Sequence, residues 1–502
     1  MELQLFSPQT FILLSLLFLY LYLYLQLFHN TQQNKNKGFK NYPLLGVLPE
    51  FLKNRHRFLQ WATQVLRECP TNTAVFSRPI NLRGIITANP RNVEHMLKTN
   101  FHNYPKGERF IYLLQDFLGN GIFNSDGNLW RVQRKTASYE FNTNSLRAFI
   151  IHNVTVETQT RLLPILSSAA QSNRVLDLQD LLERFAFDNV CKLAFNVDPG
   201  CLGGDATAGA EFMLAFEDAA MLSSGRFLSA FPLLWKIKRL LNVGSERRLR
   251  ESISTVHKFA DDIIRSRLES RGPTCNEDLL SRFIETGDNS PEFLRDIVIS
   301  FILAGRDTTS SALSWFFWIL SSRPDVKKKI RREIGTVRAV TRVGAFGYEE
   351  LKEMHYLHAA ISETMRLYPP VPVDTKACLK DDVLPDGTRI GKGWFISYLT
   401  YAMGRMESVW GKDCEEFKPE RWLENGAYRP ESAFRFPVFH AGPRMCLGKE
   451  MAYIQMKSIA ASVLDKFEIE TLDQDTCPEP LLSLTLRIKG GLPVRIRVIH
   501  GC

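Results

Sequence analysis

No two of the nine cysteines stand in a C-x-x-C pair, and their number is odd. That pattern excludes a disulfide framework and a zinc knuckle, and reads as small core residues of a reduced compartment. No G-x-G-x-x-G follows a strand, and the Walker A, HExxH and G-x-S-x-G motifs are missing. The chain therefore lacks the usual means of binding its own dinucleotide, a P-loop, and a zincin or hydrolase centre. Zinc-finger, RNP and helix-turn-helix patterns are absent too, so nucleic acid is not an expected partner. Internal repeats and low-complexity linkers are lacking. What is present is 502 residues, 45% hydrophobic and 23% charged, with 34 Phe, 14 Tyr and 8 Trp, enough to build a core and to exclude disorder. The net charge of +9 is densest at 236–250 and 327–332. These runs read as solvated helix faces, or as attraction to anionic lipid or an acidic protein partner.

Only one stretch is long and apolar enough to span a bilayer. Residues 11–28 read FILLSLLFLYLYLYLQLF, interrupted by Ser15 and Gln26. As a helix, this length rises roughly 27 Å, close to an ER-like hydrocarbon core. A cleaved signal peptide is the rival, but no basic residue precedes the run and no small-x-small site follows it. Lys35, Lys37 and Lys40 follow it, which places the remainder in the cytosol. We expect a single-span anchor over 1–28, a polar and proline-rich hinge over 29–50, and one large domain over 51–502. The hinge contains Tyr42-Pro-Leu-Leu-Gly-Val-Leu-Pro49, a stiff non-helical connector.

The body is mainly α with a small β part. Helical periodicity covers 89–99, 127–140, 145–166, 178–196, 245–269, 291–321, 348–368 and 449–467. Strand signals are short and clustered at 72–76, 84–87, the Asp-Gly hairpin of 383–390, and a last pair at 482–488 and 492–499. Strands do not alternate with helices, so a doubly wound sheet is disfavoured.

Four constellations carry chemistry. The first is Phe439-His-Ala-Gly-Pro-Arg-Met-Cys-Leu-Gly448. Its glycines permit tight turns and close approach to a flat ligand. Cys446 stands before a helix that begins near Lys449, where backbone amides favour a thiolate able to bind haem iron. Arg444 would pair with a haem carboxylate, and Phe439 would shield the sulfur. The bland alternative for Cys446 is a small buried core residue. The second is the 291–321 helix, apolar at both ends and polar at Arg306-Asp-Thr-Thr-Ser-Ser311. Arg and Asp at mid-bilayer each cost about 2.5–3.5 kcal/mol, so this is a core helix with a polar break, not a second span. Gly305 and Thr308 would loosen its ladder and leave a notch for a water. The third is Glu363-Thr-Met-Arg366, an i, i+3 pair worth only ~0.2–0.5 kcal/mol if exposed. The fourth is Trp130-Arg-Val-Gln-Arg134.

Phe439, Gly442, Arg444, Cys446 and Gly448 together match the F-x-x-G-x-R-x-C-x-G signature of the cytochrome P-450 superfamily, which the chain resembles over nearly all of its body. The resemblance implies haem b with Cys446 as axial ligand, and O2 and NADPH-derived electrons delivered by a partner NADPH-cytochrome reductase. Ala304-Gly-Arg-Asp-Thr-Thr309 resembles the oxygen-activation motif, which implies that Asp307 and Thr308 deliver protons to dioxygen at the haem. Glu363 and Arg366 resemble the E-x-x-R pair and Arg421 its third member, a structural triad; the family more often has Phe where Trp422 stands. Trp130 and Arg134 resemble the helix that reaches the haem propionates. The anchor and hinge are similar to those of microsomal members, which implies the endoplasmic reticulum membrane with the catalytic domain on the cytosolic side.

Segments 101–107, 121–126, 402–406 and 440–451 resemble the plant branch that oxidises ends of alkyl chains. That implies hydroxylation of the omega carbon of a fatty acid, with the terminal side-chain carbon (C-26 type) of a sterol and jasmonoyl-isoleucine as alternatives. By position relative to the motifs, Ile122, Phe123, Leu303, Val371, Val373 and Leu484 are the candidate pocket residues. A haem-thiolate isomerase or dehydratase needing no O2 is the enzymatic rival, against which the intact Asp307-Thr308 pair argues. A membrane-tethered scaffold is the rival outside enzymology. His355 and His358 lack a third metal ligand, and His440 is expected to pack or hydrogen-bond.

Overall fold

The computed structural model describes residues 15–22 and 38–499, apart from 80–81, 142–143, 205–206, 270–277, 286–289, 342–344 and 473–476. Most of the expected anchor, with Cys275 and Cys502, lies outside the described residues. Residues 15–22 are helical. No helix among the described residues is long and apolar enough to cross a membrane.

Six helices frame the site: α1 (Gly107–Leu118), α2 (Gly127–Phe141), α3 (Leu178–Phe195), α4 (Pro291–Ser321), α5 (His355–Leu367) and α6 (Lys449–Lys466). Their ends follow from local chemistry. Asp177 caps α3 by accepting from the amides of Gln179 and Asp180, and Asn196 closes it in a left-handed conformation. Ser290 caps α4, with Pro291 in its first turn. α4 runs unbroken through its polar middle. Ile297–Leu303 packs into one hydrophobic cluster with α1 and α3, and Ala312–Leu320 into another with α5 and α6. The polar stretch falls where those two cores part.

Gly305 does not loosen the ladder as expected. A Cβ there would lie 2.4 Å from Val190 Cγ2, so its bareness lets α3 approach α4.

Four strands form the main sheet: β1 (Thr73–Arg78), β2 (Leu82–Thr87), β3 (Asp374–Ala377) and β4 (Phe395–Tyr398), in spatial order β1-β2-β4-β3. β2 and β4 are parallel, and the other pairings are antiparallel. The two C-terminal strands do not pair with each other. β6 (Leu486–Ile488) turns back on β5 (Pro480–Leu482), and β7 (Pro493–Val498) pairs with 467–471. Two further expectations are corrected. The 348–368 helix is split at Met354, whose ψ of 76° leaves the helical region. The hinge is not irregular throughout, because Leu48–Asn54 is helical with Pro49 in its first turn.

Candidate functional site

The cysteine loop is held by its backbone before any side chain acts. The Cys446 amide donates to the Phe439 carbonyl at 2.8 Å. Gly442 has φ +64°, and a Cβ there would sit 1.9 Å from the Leu97 carbonyl oxygen, so no other residue fits without moving that strand of chain. His440 also takes a positive φ, 61°. Its Nδ1 accepts from the Ala441 amide at 2.8 Å, which leaves Nε2 to donate to Asp374 Oδ2 at 3.1 Å. Phe439 packs its ring against Tyr453 at 5.2 Å.

The Cys446 thiol keeps accessible surface although protein encloses it. Burial pushes its pKa up, against the opposing pull of the Gly448 amide, Arg134 and Lys449. The helix start does not by itself give a thiolate. Ligation to a metal does, since a coordinating thiol is deprotonated outright.

Cations surround this loop in excess. Arg134 donates to the Met445 carbonyl. Arg444 lies over the Trp130 ring at 4.3 Å and bonds Asp126 at 2.7 Å, with its Nε buried and unpartnered. Asp374 is shared by Lys106 at 2.6 Å and Lys376 at 2.7 Å. Burial, with Lys106 and Arg444 nearby, draws Lys376 down to about 7. Arg134, Arg444, Lys106 and Lys376 outnumber the carboxylates they meet, Asp126 and Asp374, so this donor set fits a ligand that carries anionic groups, as haem does. The sequence reading missed Lys106, Lys376 and Asp374. The two-residue period of β3 puts Asp374 and Lys376 on one face, but nothing local ties them to Lys106.

Below the loop, Glu363 and Arg366 form a bidentate pair at 2.7 Å with both side chains fully buried. Arg421 adds a contact to Glu363 at 3.3 Å, and the Lys418 amide another at 2.9 Å. The indole of Trp422 donates to the same carboxylate at 2.9 Å. The pair is therefore not the weak exposed one its spacing alone suggests. Breaking such a buried pair costs about 3–5 kcal/mol.

In the middle of α4 the two expected proton carriers part company. Thr308 faces a cavity of about 390 Å³, its hydroxyl bonded to the Ala304 carbonyl at 2.6 Å. Asp307 is not on that wall. It pairs with Arg306 at 2.7 Å, and Arg306 bonds Glu183 at 3.2 Å, which in turn holds Arg487 at 2.8 Å. Burial pushes the Asp307 carboxyl up and Glu183 to about 7.

Phe123, Leu303, Val371, Val373 and Leu484 all line the cavity. Ile122 is not among the lining residues: it is buried in the hydrophobic cluster of α1 and α3, whereas its neighbour Phe123 is exposed. His358 is stacked between Tyr428 and Tyr453 at 3.7 and 4.0 Å. No metal-binding cluster occurs among the described residues.

Residues 37–492 match the family described as Cytochrome P450. The chain is 55% identical over 457 residues to Cytochrome P450 CYP94D108 of Paris polyphylla, covering 90% of each protein. It is 47% identical over 469 residues to Cytochrome P450 94A1 of Vicia sativa, covering 91% of this chain and 90% of the relative. With Cytochrome P450 94B1 of Arabidopsis thaliana it shares 48% identity over 474 residues, covering 92% and 91%.

Proposed function

This chain belongs to the cytochrome P450 family, and on that premise we propose that it hydroxylates the terminal (omega) carbon of an aliphatic lipid chain, a fatty acid first among them. Members of the family are haem-thiolate monooxygenases supplied with NADPH-derived electrons by a partner reductase. One oxygen atom of O2 enters the C–H bond, and the other leaves as water with two electrons and two protons. Haem supplies the dioxygen chemistry that no side chain here can perform.

The chain's own residues have the following parts in this reading. Cys446 would hold the haem iron through its thiolate. Trp130, Arg134 and Arg444, joined by Lys106 and Lys376, would hold the haem carboxylates. Phe439 backs the cysteine loop, and Glu363, Arg366 and Arg421 fix the floor beneath it. The Thr308 hydroxyl donates to the Ala304 carbonyl and offers its oxygen to the cavity, where it would hold a proton-carrying water. Asp307 lies one residue away in a network reaching Arg487 and the partly exposed Glu217, and replenishes that proton from the far side of α4. Residues 1–28 anchor the protein in the endoplasmic reticulum membrane, with the catalytic domain on the cytosolic side.

The observation that carries the substrate reading is the cavity itself. Its wall near Thr308 is built from Leu303, Ala304, Val371 and Leu484. Such a wall excludes water and grips an unactivated alkyl end without polar contacts. The test is reconstitution with reductase and NADPH against fatty acids, jasmonoyl-isoleucine and hydroxysterols, followed by product analysis. Omega-hydroxylated fatty acid as the main product supports the reading. Exclusive turnover of a sterol, or oxidation only inside the chain, overturns it.

A further inference from the structure

The cavity that Thr308 lines carries three further cations beside Lys106 and Lys376. Arg78, at the end of β1, Arg83, in β2, and Arg109, in the first turn of α1, all line it. Two of them converge on β4 and its threshold. Arg109 lies over the Phe395 ring at 4.5 Å, and Arg83 over the ring of the preceding residue, Trp394, at 5.8 Å. Arg78 is almost fully buried and donates to the carbonyls of Ser229 and Ala230 at 2.8 and 2.7 Å.

None of the three has a carboxylate partner among the described residues. Among the described residues that line the cavity Asp374 is the single carboxylate, and Lys106 and Lys376 already hold it. Arg109 has no hydrogen-bond partner among the described residues, and it is an exposed residue of the cavity lining. Its pKa is pushed down to about 10 by burial and by the charge of Arg78. Arg78 is buried and its charge opposes that of Arg109, so an anion joining the two relieves a repulsion that nothing else in the cavity offsets. Arginine forks match a planar carboxylate in a bidentate way. Lys106 and Lys376 share Asp374, whereas Arg78, Arg83 and Arg109 line the same cavity with no anion of their own among the described residues.

We propose that Arg109, with Arg78 and Arg83, binds the carboxylate of the substrate in the cavity that Thr308 lines, so that the enzyme selects chains carrying an anionic terminus opposite the methyl it oxidises. This rests on the proposed terminal hydroxylation and narrows it to fatty acids and acyl conjugates that keep a free carboxylate. It disfavours neutral sterols. Arg109 is the residue to test, because Arg78 also braces the chain at 229–230.

The test uses the full-length, haem-loaded protein. The spin-state shift of the Soret band is titrated with dodecanoic acid and with 1-dodecanol, which has the same chain and no charge. Wild type is expected to bind the acid more tightly. Arg109→Gln weakens the acid roughly 10- to 100-fold, as loss of a charge-assisted contact implies, and leaves the alcohol unchanged. Arg109→Lys restores part of the difference. Equal binding of acid and alcohol by wild type, or equal weakening of both in Arg109→Gln, overturns the anchor while leaving terminal hydroxylation standing. If no lipid shifts the spectrum or yields omega product, the underlying reading fails instead. Loss of haem content in Arg109→Gln would assign these arginines to the cofactor, and lost binding to phosphatidylserine vesicles would assign them to the membrane surface. Either outcome contradicts the proposal.

Discussion

The indole Nε1 of Trp422 donates to Glu363 Oε2 at 2.9 Å, inside the buried carboxylate cluster that underlies the cysteine loop. This accounts for the departure from the family's usual Phe at that position. A fully buried carboxylate gains from each donor supplied, and the indole adds one that a phenyl ring cannot.

Trp422→Phe removes that donor and leaves a small void. The expected loss is about 2 kcal/mol, typical of a hydrogen bond to a charged group. Urea unfolding of the haem-loaded protein measures it, and an unchanged midpoint would show that the indole only fills space.

Gly305→Ala places a methyl group against Val190. Overpacking of this kind costs roughly 1–3 kcal/mol. Val190→Ala in the same chain makes room for it, so the double variant should recover stability relative to Gly305→Ala alone. If the two effects simply add, the close approach of α3 to α4 is not the reason for the glycine.

Thr308→Ala keeps haem, because the hydroxyl serves the cavity and its own helix rather than the cysteine loop. Product per NADPH should fall, with the missing electrons recovered as hydrogen peroxide. Unchanged coupling contradicts a proton-presenting role.

His358 is held neutral by burial between two tyrosines, with Lys457, Lys449 and His355 opposing its charge. Its folded pKa lies well below the unfolded value. The unfolded chain therefore binds the extra proton first, and stability is lost as pH falls below roughly 6.5, at up to about 1.4 kcal/mol per pH unit. His358→Gln should flatten the fall in urea midpoint between roughly pH 6.5 and 5. An identical slope in both proteins would sink the assignment.

Much of this site was legible because its motifs are local. The cysteine loop, the Glu363-Arg366 spacing and the polar middle of α4 each sit within about a dozen residues, and helical periodicity puts the last two on α5 and α4. Contacts between distant segments were not legible. Lys106 meets Asp374 across 268 positions, and Arg487 meets Glu183 across 304. Gly305 was misread because a glycine in a helix looks like a weak point until its neighbour Val190 is seen. Ile122 is buried and Phe123 exposed, a difference between neighbours that position relative to the motifs does not reveal. The break at Met354 likewise has no Gly or Pro to announce it.

Everything proposed here about oxidation depends on Cys446 holding the haem iron. The direct measurement is the absorption spectrum of the reduced, haem-loaded protein under carbon monoxide, for wild type and Cys446→Ser. The account predicts a thiolate-type Soret band in wild type that is lost in the variant. A wild-type protein lacking that band, or a Cys446→Ser protein retaining it, would contradict the account.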